Sequence, residues 1–308
     1  MELVFLGTGA GVPSPERNVS GIALTLNEER GTMWLFDCGE GTQHQIMRSP
    51  LKLSRLEFIF ITHLHGDHIY GLPGLLSSRA YQGGRTPLTV FGPSGVRTFV
   101  ETALHVSGSR IEYELRYVDV HEGVIYEDDR FVVECGLLDH RMDSYGYRIV
   151  ERDMPGTLLA DKLQAEGIRP GPIYKRIKES RSPIEVNGRL IDPRQYVGPD
   201  IEGRKIAIMG DTRPTNRAIE LSRDADVLVH EATFRENMAD LAREYYHSTN
   251  RQAAEIAAAS GAKALILTHF STRYDQREIA ALLDEIAHIH PNVYAAYDGY
   301  RHPVRRKA

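Results

Sequence analysis

The stretch FIFITHLHGDH, residues 58–68, sets the reading of the whole chain. Phe58, Ile59, Phe60 and Ile61 form a short apolar run that reads as a strand. Polarity then switches abruptly, and His63, His65, Asp67 and His68 follow within six residues. A chain leaving a strand end can aim His63 and His65 to one side and turn Asp67 and His68 toward a second point. Gly66 is expected to permit the tight backbone this needs. Imidazole and carboxylate donors in this pattern favour zinc or a similar divalent ion. A lone histidine is usually an ordinary surface or core residue, but four donors in H-x-H-x-D-H spacing point to a metal.

Two open catalytic centres need more than four ligands, so others must come from elsewhere. The same signature, an apolar run stopped by a ligand-type residue, recurs at His140 after FVVECGLLD, at Asp211 after IAIMG and at His269 after ALILT. Each alone has an ordinary explanation. Together, at equivalent strand ends, they make one shared site along the edge of a sheet sandwich. Strand-like runs over 2–6, 22–26, 33–36, 58–62, 88–91, 113–120, 124–126, 131–138, 145–150, 205–209, 227–230, 264–268 and 293–297 interleave with helical patterns over 95–106, 217–224, 235–245, 250–260 and 276–289. Such interleaving predicts an α/β fold with helices covering sheets.

Composition agrees. The 308 residues are 42% apolar and 26% charged, which excludes a disordered chain, a collagen and a coiled coil. No run approaches the ~18 apolar residues of a membrane span. The opening MELVFLGTGAG carries no basic leader, so no export signal is expected, and two cysteines 97 positions apart suggest free thiols in the cytoplasm. The Gly7–Gly11 run resembles a dinucleotide loop, but Val12 and Pro13 break that fingerprint, and a turn carrying backbone toward the site is expected instead. Asp37, ending WLFD, is expected to support a ligand or orient the loop.

Net charge is −5, yet residues 162–181 hold six bases against two acids, and the tail RHPVRRKA adds four bases and no acid. That basic run lies in a segment of about 50 residues, 152–203, punctuated by Pro155-Gly156, Pro170-Gly171-Pro172, Asn187-Gly188 and Gly198-Pro199. A long connection of this kind inside a compact domain is usually functional. It is expected to be an inserted, projecting arm.

The H-x-H-x-D-H motif followed by a later His, Asp and His resembles the metallo-β-lactamase superfamily. LVFLGTGAGVPSPERN (3–18), FDCGEGTQ (36–43), HEAT (230–233), HST (247–249) and AYDGY (296–300) narrow this further. Over essentially its whole length the chain is similar to the ribonuclease Z, or tRNase Z, family. That resemblance implies a four-layer αβ/βα sandwich, one domain over 1–308 with a tRNA-binding arm at about 152–203. It implies two Zn2+ per subunit, with Mn2+ or Co2+ as substitutes. One ion would take His63, His65 and His140, the other Asp67, His68 and His269, with Asp211 bridging. Asp67 would accept a proton from the attacking water, and His247, oriented by Glu231, would protonate the leaving oxygen. Without the resemblance, His247 reads as a surface residue before a helix capped by Ser248 or Thr249. The implied reaction removes the 3′ trailer of precursor tRNA, leaving a 3′-hydroxyl and a 5′-phosphate. Lys175, Arg176, Lys178 and Arg273 would contact the RNA, and a cytoplasmic homodimer is implied. Two other readings stand beside it: another superfamily hydrolase acting on small phosphodiesters or esters, and a non-catalytic RNA-binding protein with a degenerate site.

Overall fold

Alternate residues of the first strand go to different cores. In Glu2–Gly7, Leu3 and Phe5 face one apolar cluster while Val4 and Leu6 face another. This two-residue period, with both faces apolar, is what a strand sandwiched between two layers requires. The structure is a computed structural model that describes residues 1–306. The chain divides into two compact units, one formed by Met1–Val150 and Lys205–Val304, the other by Glu151–Arg204 with the tail.

Among the described residues, the first unit holds two seven-stranded sheets. One runs, in spatial order, Arg301–Pro303, Glu2–Gly7, Gly21–Leu26, Thr32–Phe36, Leu56–Phe60, Leu88–Gly92 and Leu115–Asp119. Its pairings are antiparallel as far as Thr32–Phe36 and parallel beyond. The other runs Val293–Ala295, Leu265–Thr268, Val227–Glu231, Lys205–Ile208, Tyr145–Glu151, Phe131–Leu137 and Gly123–Glu127. Its first four strands are parallel.

The inner faces meet in a core built from Leu24, Trp34, Phe36, Phe60 and Phe91 on one side and Phe131, Tyr147, Ile149, Ile206 and Val229 on the other. The outer face of the first sheet packs against helices Leu72–Tyr81 and Val96–Val106 through Leu72, Leu75, Leu76, Val96 and Val100. The outer face of the second is covered by Asn216–Leu221, Asn250–Ser260 and Gln276–Ile286. Ala253, Ala254 and Ala257 let the middle helix lie close to its sheet. The result is the four-layer helix–sheet–sheet–helix sandwich of the metallo-β-lactamase fold.

Two cross-sheet bonds anchor the decisive loop. The Tyr147 hydroxyl donates to the Ile61 carbonyl at 2.5 Å, and the Tyr145 N–H donates to the Thr62 carbonyl at 2.9 Å. The chain thus enters His63 already tied to the opposite sheet. The strand itself ends at Phe60, and residues 66–69 form one helical turn where a loop was expected. Helix Leu72–Tyr81 was hidden in the sequence by Gly71, Pro73 and Gly74; Pro73 is tolerated because it falls in the first turn.

The second unit carries its own small core of Leu163, Ile168, Ile177, Val186, Ile191 and Tyr196. Around it lie helices Ala160–Ala165 and Pro172–Glu179 and the hairpin Ile184–Val186/Arg189–Ile191. Asn187 and Gly188 turn that hairpin with both φ angles positive, as a two-residue turn requires. At the root of the unit the buried Glu151 carboxylate accepts from Arg204 Nε at 2.8 Å and from Arg306 Nη2 at 2.6 Å. Burial opposes its charge, but Arg204 and Arg306 outweigh that and hold its pKa at about 2, below the ordinary 4.5. A depressed carboxylate contributes stability above its unfolded pKa and loses it as pH falls through the folded value. Glu151→Gln is therefore expected to destabilise this unit by on the order of 3 kcal/mol at pH 7. The deficit should shrink between pH 4.5 and 2, which hydrogen exchange of residues 151–204 checks.

Candidate metal centre

The ligand-type residues singled out in the sequence converge beyond the ends of the strands. His63 follows Leu56–Phe60, His140 follows Phe131–Leu137, Asp211 follows Lys205–Ile208 and His269 directly follows Leu265–Thr268. Asp211 lies at the middle. Its Oδ2 stands 3.6 Å from His63 Nε2, 3.5 Å from His68 Nε2 and 3.4 Å from His269 Nε2. On one side His65 Nδ1 lies 3.0 Å from His63 Nε2 and 3.2 Å from His140 Nε2. On the other, Asp67 Oδ2 lies 3.5 Å from His68 Nε2 and 3.4 Å from His269 Nε2. His63, His65, His140 and Asp211 therefore form one cluster and Asp67, His68 and His269 a second beside it.

These separations suit a small divalent ion. Metal–ligand bonds of about 2.0–2.1 Å in a tetrahedron put donors roughly 3.3–3.4 Å apart. The hydrogen bonds behind the rings also bare the correct nitrogens. The Thr62 hydroxyl gives its one proton to Asp37 Oδ2 at 2.8 Å, so it must accept from His63 Nδ1 at 3.0 Å. Thr233 repeats the device: its hydroxyl donates to Glu231 Oε2 at 2.6 Å and accepts from His269 Nδ1 at 2.8 Å. His68 Nδ1 donates to Asp37 at 2.7 Å and His140 Nδ1 to the Tyr246 carbonyl at 2.8 Å. In the neutral form of all four rings these bonds put the proton on Nδ1 and leave the Nε2 lone pair for the centre, the arrangement metal-bound histidines need. The Gly11 N–H donates to Asp67 Oδ2 at 2.8 Å, so the glycine-rich first loop does bring backbone to the site.

Strain accompanies this geometry. Asp37, Tyr246 and His269 are three of the five non-glycine residues with positive φ among the described residues. Such conformations cluster where a site over-determines them. Arg213 braces the same region: its guanidinium forks onto Asp139 at 2.9 and 3.0 Å and lies 4.0 Å over the Tyr246 ring.

Glu231 is a buried hub. Its Oε1 accepts from the Thr212 N–H at 2.7 Å and His247 Nδ1 at 3.0 Å, and its Oε2 from Thr233 and from the Ser248 N–H at 3.1 Å. Burial opposes a charge on His247, but Glu231 and then Asp211 outweigh it and raise its pKa to about 9. Burial, reinforced by the neighbouring imidazoles, instead holds His63 well below its ordinary value, so that ring is neutral. Against its burial, Asp211 is held well below the ordinary carboxylate range, chiefly by His269 and His68, and stays ionised. The capping expectation also holds, because Thr249 caps helix Asn250–Ser260 in a reciprocal box with Gln252 while His247 turns into the site.

A cleft of about 570 Å³ opens over the centre. Val12, Tyr70, Phe234, Tyr245 and Ser271 line it with His65, Asp67, His247 and His269. Arg273 is exposed, 5.8 Å from the Phe234 ring, and lines an adjoining cavity of about 490 Å³. Lys175, Arg176 and Lys178 are exposed on helix Pro172–Glu179 of the second unit, and Lys175 pairs with Glu179 at 3.8 Å. Cys38 is buried and its thiol is pushed up by burial, which removes it as a nucleophile. Gly66 needs correction. Its φ is not in the left-handed region; a Cβ there would instead collide with the ring of Tyr70.

Comparison with known proteins follows this geometry. A model of the Anti-Pycsar protein Apyc1 matches residues 1–132, and one of the beta-lactamase superfamily domain matches residues 180–270. Ribonuclease Z of Geobacillus kaustophilus is 57% identical over 298 residues, 97% of each chain. The chain belongs to the ribonuclease Z family. Another ribonuclease Z, from Anoxybacillus flavithermus, is 58% identical over 100% of this chain and 98% of its own. The crystal structure of the short form of human tRNase Z superposes with a TM-score of 0.72 at 32% identity, covering 99% of this chain and 100% of that one. As a ribonuclease Z family member the protein is a hydrolase and an endoribonuclease, and its His/Asp cluster is suited to binding metal.

Sequence reading did not find Thr62, Thr233, Arg213 or the Tyr246 carbonyl. Thr62 carried one available signal, its place immediately before His63. Thr233→Val keeps the shape and removes the hydroxyl that orients His269. It is expected to weaken divalent-metal binding about 10- to 100-fold, measured by competition with a chelator of known affinity.

Proposed function

We propose that this endoribonuclease removes the 3′ trailer from precursor tRNA, leaving a 3′-hydroxyl on the tRNA and a 5′-phosphate on the trailer. The observation that carries the reading is the paired donor set around Asp211 Oδ2. The set is suited to two Zn2+, with Mn2+ or Co2+ accepted by the same donors. One ion would be held by His63, His65 and His140, the other by Asp67, His68 and His269, with Asp211 between them. When bound, such a pair supplies Lewis acidity, lowering the pKa of an attacking water and neutralising phosphodiester charge.

The chain's own residues do the rest. Asp67, with Oδ2 fixed by the Gly11 N–H, takes the proton of the attacking water. His247 holds Nδ1 against Glu231, which leaves Nε2 for the cleft. With its pKa raised to about 9, it carries a proton at neutral pH and delivers it to the departing 3′-oxygen. The buried Glu231 has every oxygen occupied and serves as the orienting group. A folded tRNA far exceeds a cleft of about 570 Å³, so recognition needs a second surface. The unit Glu151–Arg204, with Lys175, Arg176 and Lys178, supplies that surface through phosphate contacts. Arg273 contacts phosphate beside the cleft. The enzyme works as a cytoplasmic homodimer.

A labelled precursor tRNA tests this. Wild-type protein is expected to cut it just 3′ of the discriminator base; chelator and Asp67→Ala are each expected to abolish cutting. Deleting residues 155–195 should cripple that reaction and spare bis(p-nitrophenyl) phosphate. RNA binding without cutting would contradict the catalytic reading, and equal loss on both substrates would make the second unit merely structural.

A further inference from the structure

The metal cleft exposes an aromatic ring that the chemistry above does not use. Tyr70 lines the cleft beside Asp67 and His65 and is 64% exposed. Its backbone ends the short ligand helix, with its N–H donating to the Gly66 carbonyl at 2.9 Å. The ring lies against Gly66, where any side chain would collide with it, and Phe99 stands behind it at 6.2 Å, tilted by 32°. Gly66 has ordinary backbone angles, so its missing side chain serves the ring and not the turn. The other exposed ring of the cleft, Tyr245, is engaged differently: the Arg141 guanidinium covers it at 5.3 Å and Phe234 lies at 6.4 Å.

A ring held in place yet left open to solvent has given up burial that would stabilise the fold. The metal ligands explain what it faces. His63, His68 and Asp211 are all nearly inaccessible, so a phosphodiester can reach them only as single strand, with neighbouring bases unstacked. An unstacked base is stabilised by an aromatic face, and any base serves because every base has one.

We propose that Tyr70 is a stacking platform for an unpaired base immediately flanking the cleaved bond. This rests on the RNA reading above and adds a specificity element to it. Because the ring and Asp67 stand three residues apart on one helical turn and its cap, stacking sets the phosphodiester against the metal centre.

The test compares kcat/KM for a precursor RNA with that for the same RNA made abasic at one or the other nucleotide flanking the cleaved bond. Tyr70→Leu, which keeps apolar bulk without a planar face, is expected to lower kcat/KM on the parent RNA by roughly 5- to 150-fold. Tyr70→Phe should retain wild-type values. On one of the two abasic RNAs the Leu variant should show no deficit against wild type. An unchanged Leu variant, or an equal deficit on the parent and both abasic RNAs, would overturn the proposal. Wild-type protein that fails to cut the parent RNA would overturn the RNA reading and this proposal with it.

Discussion

Four imidazoles press on one carboxylate. Asp211 Oδ2 lies within 3.8 Å of imidazole nitrogens from His63, His68, His247 and His269 and belongs to the same cluster as His65 and His140. Burying so many titratable groups is costly unless their charges and lone pairs are matched. The fold meets that condition by geometry. Parallel strands bring their C-terminal ends to one edge, and each chain leaving that edge contributes a donor. The sandwich core keeps the strands in place, and Tyr147 and Tyr145 bind the carbonyls of Ile61 and Thr62 across the sheets.

Orientation is handled one layer back. Asp37 and Glu231 perform the same service on opposite sides: each holds a threonine hydroxyl, and each threonine fixes the tautomer of one histidine. Glu231 also charges His247, so a single buried carboxylate orients one imidazole through Thr233 and holds the proton on another. Left-handed backbone at Asp37, Tyr246 and His269 is the local cost of turning three chains inward within a few residues of their strand ends.

Much of this could be read in advance, for physical reasons. Strands such as Lys205–Ile208 and Leu265–Thr268 are apolar runs with abrupt ends, and a donor stands just past each end. Periodicity found Asn250–Ser260 with both of its boundaries. It missed Leu72–Tyr81 because Pro73 and Gly74 hide a first helical turn, and it missed Pro172–Glu179 as a helix behind its charge and its flanking Pro and Gly residues. The threonines behind His63 and His269 were silent, since a hydroxyl that selects a tautomer looks like any other threonine. The Tyr246 carbonyl is backbone and leaves no trace in sequence. Gly66 was noticed for the wrong reason: a sequence displays a missing side chain but not the ring that fills its place. The bond from Arg306 to Glu151 joins residues 155 positions apart and carries no periodic signal.

Crystals grown with Zn2+ and measured on both sides of its absorption edge test the central claim most directly. Two anomalous peaks per chain are predicted, one among His63, His65 and His140 and one among Asp67, His68 and His269, with the Asp211 carboxylate bonded to both. A single peak, or two peaks with Asp211 outside bonding distance of either, would contradict it.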